Sequence, residues 1–370
     1  MNKNRRQFLK TSIAGAAGAA VMGSFGHPET ARASSHEPAK HLNILVLGGT
    51  GFIGPHMVRE ALRRGHTVSL FNRGKSNNEL FPDLTTYKGD RNNDLGALEG
   101  HKWDAVIDNS GYVPRHVADS ARLLSSAADF YLYISSISVY ASFGEENDED
   151  SALGRIEDET IEEVNNETYG PLKALCEKRA TEEFGADRLA VLRPTYICGP
   201  GDRTDRYTYW PVRTMRGGDM LWPGMPADPI QIIDVRDLAN FTIDCLERKT
   251  TGIYNTVTPK GSFTMGDLLE DCQAVTMAEM NPIWVSEEFI ADNELPISIW
   301  SPPNGELAAV SLVSGERAAA QGLICRRTRE TARGTISWWN KLPTERQKLR
   351  AGPKPEQEAQ ALEKWKAQQD

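Results

Sequence analysis

Gly48-Gly49-Thr50-Gly51-Phe52-Ile53-Gly54 follows directly on the apolar run Ile44-Leu45-Val46-Leu47. Gly48, Gly51 and Gly54 form a G-x-x-G-x-x-G set, whose glycines permit a tight strand-to-helix turn and a close approach of backbone to a pyrophosphate. Residues 53–64 read as an amphipathic helix, and its N-terminus offers amide donors and a favourable dipole to that anion. A glycine triplet alone carries little information. Between an apolar strand and an amphipathic helix it marks a dinucleotide-binding turn, with Gly48, Thr50, Gly51, Phe52, Ile53 and Gly54 as candidate contacts.

Outward from the turn, short apolar runs alternate with helix-like stretches, the pattern of a parallel sheet covered on both faces. Strands are expected at residues 42–47, 67–71, 105–108, 130–135 and 189–193, and helices at 53–64, 116–127 and 169–184. The fold class is therefore α/β, a Rossmann-type doubly wound parallel sheet. An acidic stretch at residues 145–167 interrupts the alternation; it reads as a solvated loop, with a lid over the site as the alternative. From Ile197 the chain turns irregular and rich in Pro, Trp and Gly. A smaller substrate lobe is expected over residues 197–343, after a dinucleotide-binding part over 42–196 whose core continues in later segments. The charged tail, residues 344–370, is expected to form a surface helix.

The chain opens on Asn4-Arg5-Arg6-Gln7-Phe8-Leu9-Lys10, a basic start with paired arginines. An apolar stretch from Thr11 to Phe25 and a small-x-small site at Ala31-Arg32-Ala33 complete a twin-arginine signal peptide over residues 1–33, with a polar linker at 34–41. The apolar stretch falls short of the ~20 residues of a spanning helix, so stable membrane insertion is not expected. The expected partner is the twin-arginine export machinery, which carries proteins already folded to the periplasm or another extracytoplasmic space. Of 42 basic and 51 acidic residues in the whole chain, the segment 1–33 holds five and one; 37 against 50 remain, a net charge near −13. That balance opposes phosphate-driven binding, and no nucleic-acid partner is expected. Cys176, Cys198, Cys245, Cys272 and Cys325 form no CxxC pair, and the histidines do not cluster. Inert buried thiols are expected, without a disulfide framework or a metal site.

The end of the second strand bears on which dinucleotide is bound. An acid there would hold the ribose diol of NAD, whereas a basic residue tolerates the 2′-phosphate of NADP. The chain reads Leu70-Phe71-Asn72-Arg73-Gly74-Lys75, with no acid, and Arg73 is placed to pair with a phosphate. NADP is favoured over NAD; the other reading is that Arg73 stacks on adenine or points to solvent. Asp90 is expected near the adenine, and Ser110-Gly111 should pass close to the cofactor.

Tyr169-Gly170-Pro171-Leu172-Lys173 puts a phenol and an ammonium four residues apart, on one face of a helix. A nearby cation and the cofactor's positive ring are expected to lower the tyrosine's pKa toward that of a working general acid/base. Ser136, in Ile134-Ser135-Ser136-Ile137-Ser138-Val139-Tyr140, closes a strand where its hydroxyl could hold a substrate oxygen. With these motifs the chain resembles the extended short-chain dehydrogenase/reductase superfamily, in its NAD-dependent epimerase/dehydratase group, over roughly residues 42–340. The segments 192–200 and 231–237 add to the likeness. More closely, it is similar to a poorly characterised bacterial subgroup with "FNRG" after the second strand and "DRYTYW" in the substrate lobe. The resemblance implies Tyr169 as proton donor and acceptor, and Lys173 as the residue that orients the ribose and tunes Tyr169. It implies Ser136 as the group that polarises substrate, with backbone around Pro194 bordering the nicotinamide; by analogy it also implies a homodimer. Two departures stand out. Ile137-Ser138 replace the Asp-Glu pair of sugar-nucleotide dehydratases, which disfavours dehydration, and Asn72 replaces the acid of NAD-specific epimerases.

In the substrate lobe, Arg206, Tyr209, Trp210 and Arg213 concentrate basic and aromatic side chains that could stack on a small-molecule substrate and pair with its phosphate or carboxylate. The other reading is that they hold a loop-rich lobe together. The expected activity is hydride transfer at a secondary alcohol or ketone of a carbohydrate-like substrate, by an epimerase or a reductase. A binding or sensor protein without turnover is the alternative.

Overall fold

The computed structural model describes residues 41–369, and the export segment lies outside them. The first half contains β1 (Asn43–Leu47), α1 (Gly54–Arg63), β2 (Thr67–Asn72), β3 (Thr86–Lys88), β4 (Trp103–Asp108), α2 (Pro114–Leu124), β5 (Ala128–Ile134), α3 (Tyr169–Phe184) and β6 (Leu189–Pro194). There follow β7 (Tyr196–Cys198), α4 (Tyr209–Thr214), β8 (Gly218–Pro223), β9 (Ile232–Asp234), α5 (Val235–Arg248), β10 (Gly252–Thr256) and α6 (Met265–Thr276). The chain closes with β11 (Met280–Val285), α7 (Glu287–Asp292), α8 (Glu316–Ala320), α9 (Thr328–Trp339) and α10 (Pro355–Ala367).

Seven strands form one parallel sheet in the order β10-β6-β5-β4-β1-β2-β3. Alternation along β1 shows why both faces are covered. Ile44 and Val46 enter a core with Met57, Val58 and Ala61 of α1 and Leu238 of α5. Leu45 and Leu47 enter the opposite core with Val117 and Ala121 of α2 and Cys176 and Ala180 of α3. The strand order reverses between β1 and β4, so a crevice opens at their carboxyl ends, where doubly wound sheets bind ligands. The expected α/β architecture is observed.

Six strands were not anticipated, two of them in the seven-stranded sheet. β3 has only three residues at the sheet edge, and β10 comes from the segment assigned to the lobe yet pairs with β6 from Gly252↔Ala190 to Thr256↔Pro194. The lobe itself carries two small parallel pairs, β8 with β11 and β7 with β9. The acidic stretch is not simply a solvated loop: Asn147 and Glu149 are buried, and Glu149 Oε1 accepts the Asn255 backbone N–H of β10 at 2.8 Å. Likewise the tail forms the expected helix, but α10 docks. Its Glu358 is buried against Arg213 of α4, and Trp365 packs edge-on against Phe289 of α7. Cys176, Cys198, Cys245 and Cys272 are buried, Cys325 half-buried, and all five are unbridged thiols. Burial pushes the Cys176 thiol up to about 11 and that of Cys325 to about 12, which leaves them unreactive near neutrality.

Candidate active site

The turn after β1 is shaped by its glycines. Gly48 has φ +92°, and a Cβ at Gly54 would meet the Gly48 carbonyl oxygen at 2.6 Å, so α1 rests directly on the turn. A Cβ at Gly51 would meet nothing within 4 Å beyond its chain neighbours, which leaves open backbone beside the crevice that Gly51 lines. α1 begins at Gly54 with no side-chain cap; Pro55 has no N–H and the His56 N–H bonds the Ile53 carbonyl at 3.0 Å, which leaves the Gly54 amide at the helix N-terminus for an anion. Asn77 Nδ2 ties the Thr50 carbonyl at 2.8 Å and Ser110 Oγ the Leu47 carbonyl at 3.1 Å, holding the turn from two sides. The crevice above it, ≈ 570 Å³, is lined by Gly48, Thr50–Gly54, Asn72, Arg73, Asp90 and Ser110. An open glycine cradle at a helix N-terminus, continued by a long cleft, fits an extended dinucleotide.

Asn72 lines the cleft, and its Oδ1 accepts the Gly74 N–H at 2.8 Å and shapes the turn. Arg73 and Lys75 are exposed beside the cleft. Beneath it, Arg91 grips Asp108 through two bonds of 2.5 and 2.7 Å, and Tyr131 Oη donates to Asp108 at 2.7 Å. This buried network braces the end of β4.

The cleft continues into a chamber of ≈ 380 Å³; Phe52, Ile53, Asn109, Tyr112, Asp202 and Thr204 line both. Ser136, Tyr169, Lys173 and Pro194 line the chamber. Ser136 caps a 3-10 turn, its Oγ accepting the Ser138 N–H at 3.1 Å. Burial pushes the Tyr169 phenol above its ordinary value, while the neighbouring Ser136 hydroxyl and the charge of Arg206 pull it back. Lys173 Nζ is fully enclosed: it donates to the carbonyls of Gly111 at 2.8 Å and Ile134 at 2.7 Å, and lies 4.4 Å from the Tyr133 ring centroid and 5.2 Å from that of Tyr112. Burial pushes its ammonium down to about 8. Gly111 thus serves as Lys173's acceptor and is not among the residues that line the cleft.

The substrate-lobe residues divide. Arg206 faces the chamber, its guanidinium 4.9 Å from the Tyr196 ring centroid. Tyr209, Trp210 and Arg213 do not reach it. Trp210 is fully buried against Trp222, with ring centroids 4.8 Å apart; Tyr209 lies edge-on to it, and Arg213 Nε binds Glu358 at 2.5 Å. Their helix, α4, turns its apolar face into the lobe's own core. Sequence reasoning missed Tyr112, Asp202 and Thr204. Tyr112, whose ring centroid is 6.4 Å from that of Tyr169, directly follows Ser110-Gly111 and was within reach of that motif. Asp202 and Thr204 carry no comparable signal, because only the loop after β7 aims them.

A family model described as the NAD dependent epimerase/dehydratase family matches residues 44–256, more than half of the chain. A model of the twin-arginine translocation pathway signal sequence matches residues 4–22, which directs the protein to the periplasm or extracytoplasmic space. Among the described residues no helix is long and apolar enough to cross a membrane. The chloroplast stem-loop binding protein of 41 kDa b from Arabidopsis thaliana is 26% identical over 230 residues, and the chain spans 57% of its length, with 57% of this chain covered. The epimerase family protein SDR39U1 of Bos taurus is 25% identical over 75% of this chain and 91% of its own. The Bordetella bronchiseptica enzyme WbmG, solved with NAD and UDP, shares the fold at a TM-score of 0.61 and 15% identity, over 81% of this chain and 96% of its own.

Proposed function

The chain belongs to the NAD dependent epimerase/dehydratase family, and from that premise we propose that it oxidises and reduces a secondary alcohol or ketone of a carbohydrate-like substrate, with Tyr169 as general acid/base. The observation that carries this reading is the convergence of Ser136, Tyr169 and Lys173 on one chamber that opens into the glycine-cradled cleft. The nicotinamide dinucleotide supplies the site that accepts or returns a hydride. Ser136 Oγ, which lines the chamber with Tyr169, holds the substrate oxygen. Tyr169 Oη takes the hydroxyl proton during oxidation and returns it during reduction. Lys173, anchored on Gly111 and Ile134, has a third N–H donor for a cofactor ribose hydroxyl and places positive charge near the phenol when the site is filled.

NADP is the favoured cofactor in this reading, because Arg73 and Lys75 border the end of β2 where no acid stands. Export favours a cofactor that is retained and restored within each cycle, as in an epimerase, since a spent one has no expected partner outside the cytoplasm. A protein that keeps the fold without turnover is the second reading, prompted by the plant relative's name as a stem-loop binder. The three polar groups in the chamber and the acidic balance of the chain weigh against it.

Tyr169→Phe tests the proposal. Turnover should be lost while cofactor affinity stays within about threefold, and full activity in that variant would remove Tyr169 from the mechanism.

A further inference from the structure

We propose that Lys88, at the end of β3, is a specificity-determining residue for the cofactor: with Arg73 it takes the phosphate that NADP carries on its ribose 2′ oxygen. This rests on the NADP reading above and assigns part of that selectivity to a strand other than the one that carries Arg73.

The placement follows from the sheet. β2 and β3 run parallel with Leu70 opposite Thr86 and Asn72 opposite Lys88. Side chains alternate along a strand, so these four share one face. It is the face that α1 covers, for Leu70 packs in the core of Met57 and Val58. Beyond the last of them the sheet edge opens into a recess of ≈ 310 Å³, closed by Asn78, Phe81, Pro82 and Leu84 of the segment after β2. Thr50, Asn72 and Gly74 line both this recess and the cofactor cleft, so the two volumes meet over the glycine turn and the end of β2.

Lys88 is the one charged side chain among the residues that line the recess. It lies across the turn that follows β2: a Cβ at Gly74 would meet Lys88 Cε at 3.1 Å and Nζ at 3.7 Å. Gly74 itself has φ +66°, and its N–H and carbonyl are tied to Asn72 Oδ1 at 2.8 Å and Asn78 Nδ2 at 2.7 Å. The ammonium is thus set beside a fixed turn. Arg73, the residue before Gly74, borders the cleft and not the recess, whereas Lys88 borders the recess and not the cleft.

The two cations therefore approach the end of β2 from different sides. A phosphate carried where cleft and recess meet has a guanidinium available from one and an ammonium from the other, donors that suit its charged oxygens. The acid that holds the ribose diol of NAD is missing from β3 as it is from β2: among the described residues no carboxylate lines the recess. Lys88 stands fifteen positions beyond Arg73 in the chain, and only the pairing of β2 with β3 brings it to the turn.

The test is calorimetric titration of 2′,5′-ADP and of 5′-AMP, which differ by the 2′-phosphate alone, into wild type, Lys88→Met and Lys88→Arg. Wild type should bind 2′,5′-ADP the more tightly. Lys88→Met should weaken 2′,5′-ADP at least about tenfold, the scale of one lost charged hydrogen bond. Its affinity for 5′-AMP should stay within about twofold of wild type, which also verifies folding, and Lys88→Arg should keep most of the preference. An undiminished preference in Lys88→Met would overturn the role of Lys88 and leave the NADP reading standing on Arg73. Equal losses for the two probes would make Lys88 a structural residue and overturn it likewise. A wild type without preference for 2′,5′-ADP would overturn this inference and the NADP reading together.

Discussion

Gly170 lies so close to Ser138 that a Cβ at position 170 would fall deep inside contact with the Ser138 carbonyl oxygen. That closeness seats the first turn of α3 on the 3-10 turn Ile137–Val139, which Ser136 caps. The residue between the phenol and its proline therefore sets the distance from Tyr169 to Ser136.

Gly170→Ala should push α3 away from that turn and separate the phenol from the serine. Misplacement of a reacting group by about 1 Å costs on the order of a hundredfold in rate. A loss of that size in kcat, with cofactor affinity nearly unchanged, is expected from steady-state kinetics and cofactor titration. Wild-type kcat would show that the contact relaxes elsewhere.

Arg73→Ala should weaken NADP about ten- to a hundredfold, the range for loss of charged hydrogen bonds, while NAD changes little. Equal losses for the two dinucleotides in fluorescence titrations would remove the basis for NADP preference.

Lys173 gives a pH signature. Its folded value is near 8, below the unfolded value of about 10.4. Between these values the unfolded chain binds a proton that the folded chain has released, so the lysine's contribution to stability rises with pH across that window. Lys173→Met should therefore destabilise the protein more at pH 10 than at pH 7 in urea unfolding. A pH-independent difference would mean that the enclosed amine keeps its proton through the window.

The tail is structural at one point. Arg213→Met leaves Glu358 buried without its partner and should cost about 3–5 kcal/mol, seen as a lower urea midpoint. Adding Glu358→Leu should recover much of that loss, because the uncompensated charge is then gone. A single variant as stable as wild type would show α10 to be peripheral.

The parts of the molecule legible in its sequence are those governed by near neighbours along the chain. The glycine turn, the alternation of β1 and the pairing of Tyr169 with Lys173 on α3 each depend on residues within a few positions of one another. The helix expected at residues 169–184 is observed as Tyr169–Phe184, because periodicity and the Gly185 stop are local signals. β10 was hidden for the opposite reason. Its five residues, Gly252-Ile253-Tyr254-Asn255-Thr256, make no apolar run, and only pairing with β6, some sixty positions earlier, makes them a strand.

The site divides along the same line. Composition placed Arg206, Tyr209, Trp210 and Arg213 together, yet α4 turns Trp210 into the core and Arg213 onto a helix that begins at Pro355. Chemistry alone does not say which face of a short helix meets solvent; packing against distant segments does. Lys173 shows both levels in one residue. Its spacing from Tyr169 is written in the chain, but its enclosure beneath Tyr112 and Tyr133, and the burial that draws its proton off near pH 8, arise only when β4, β5 and α3 close around it. Dihedral preference and side-chain period act over one or two turns of chain, whereas burial and electric field are properties of everything folded around a group.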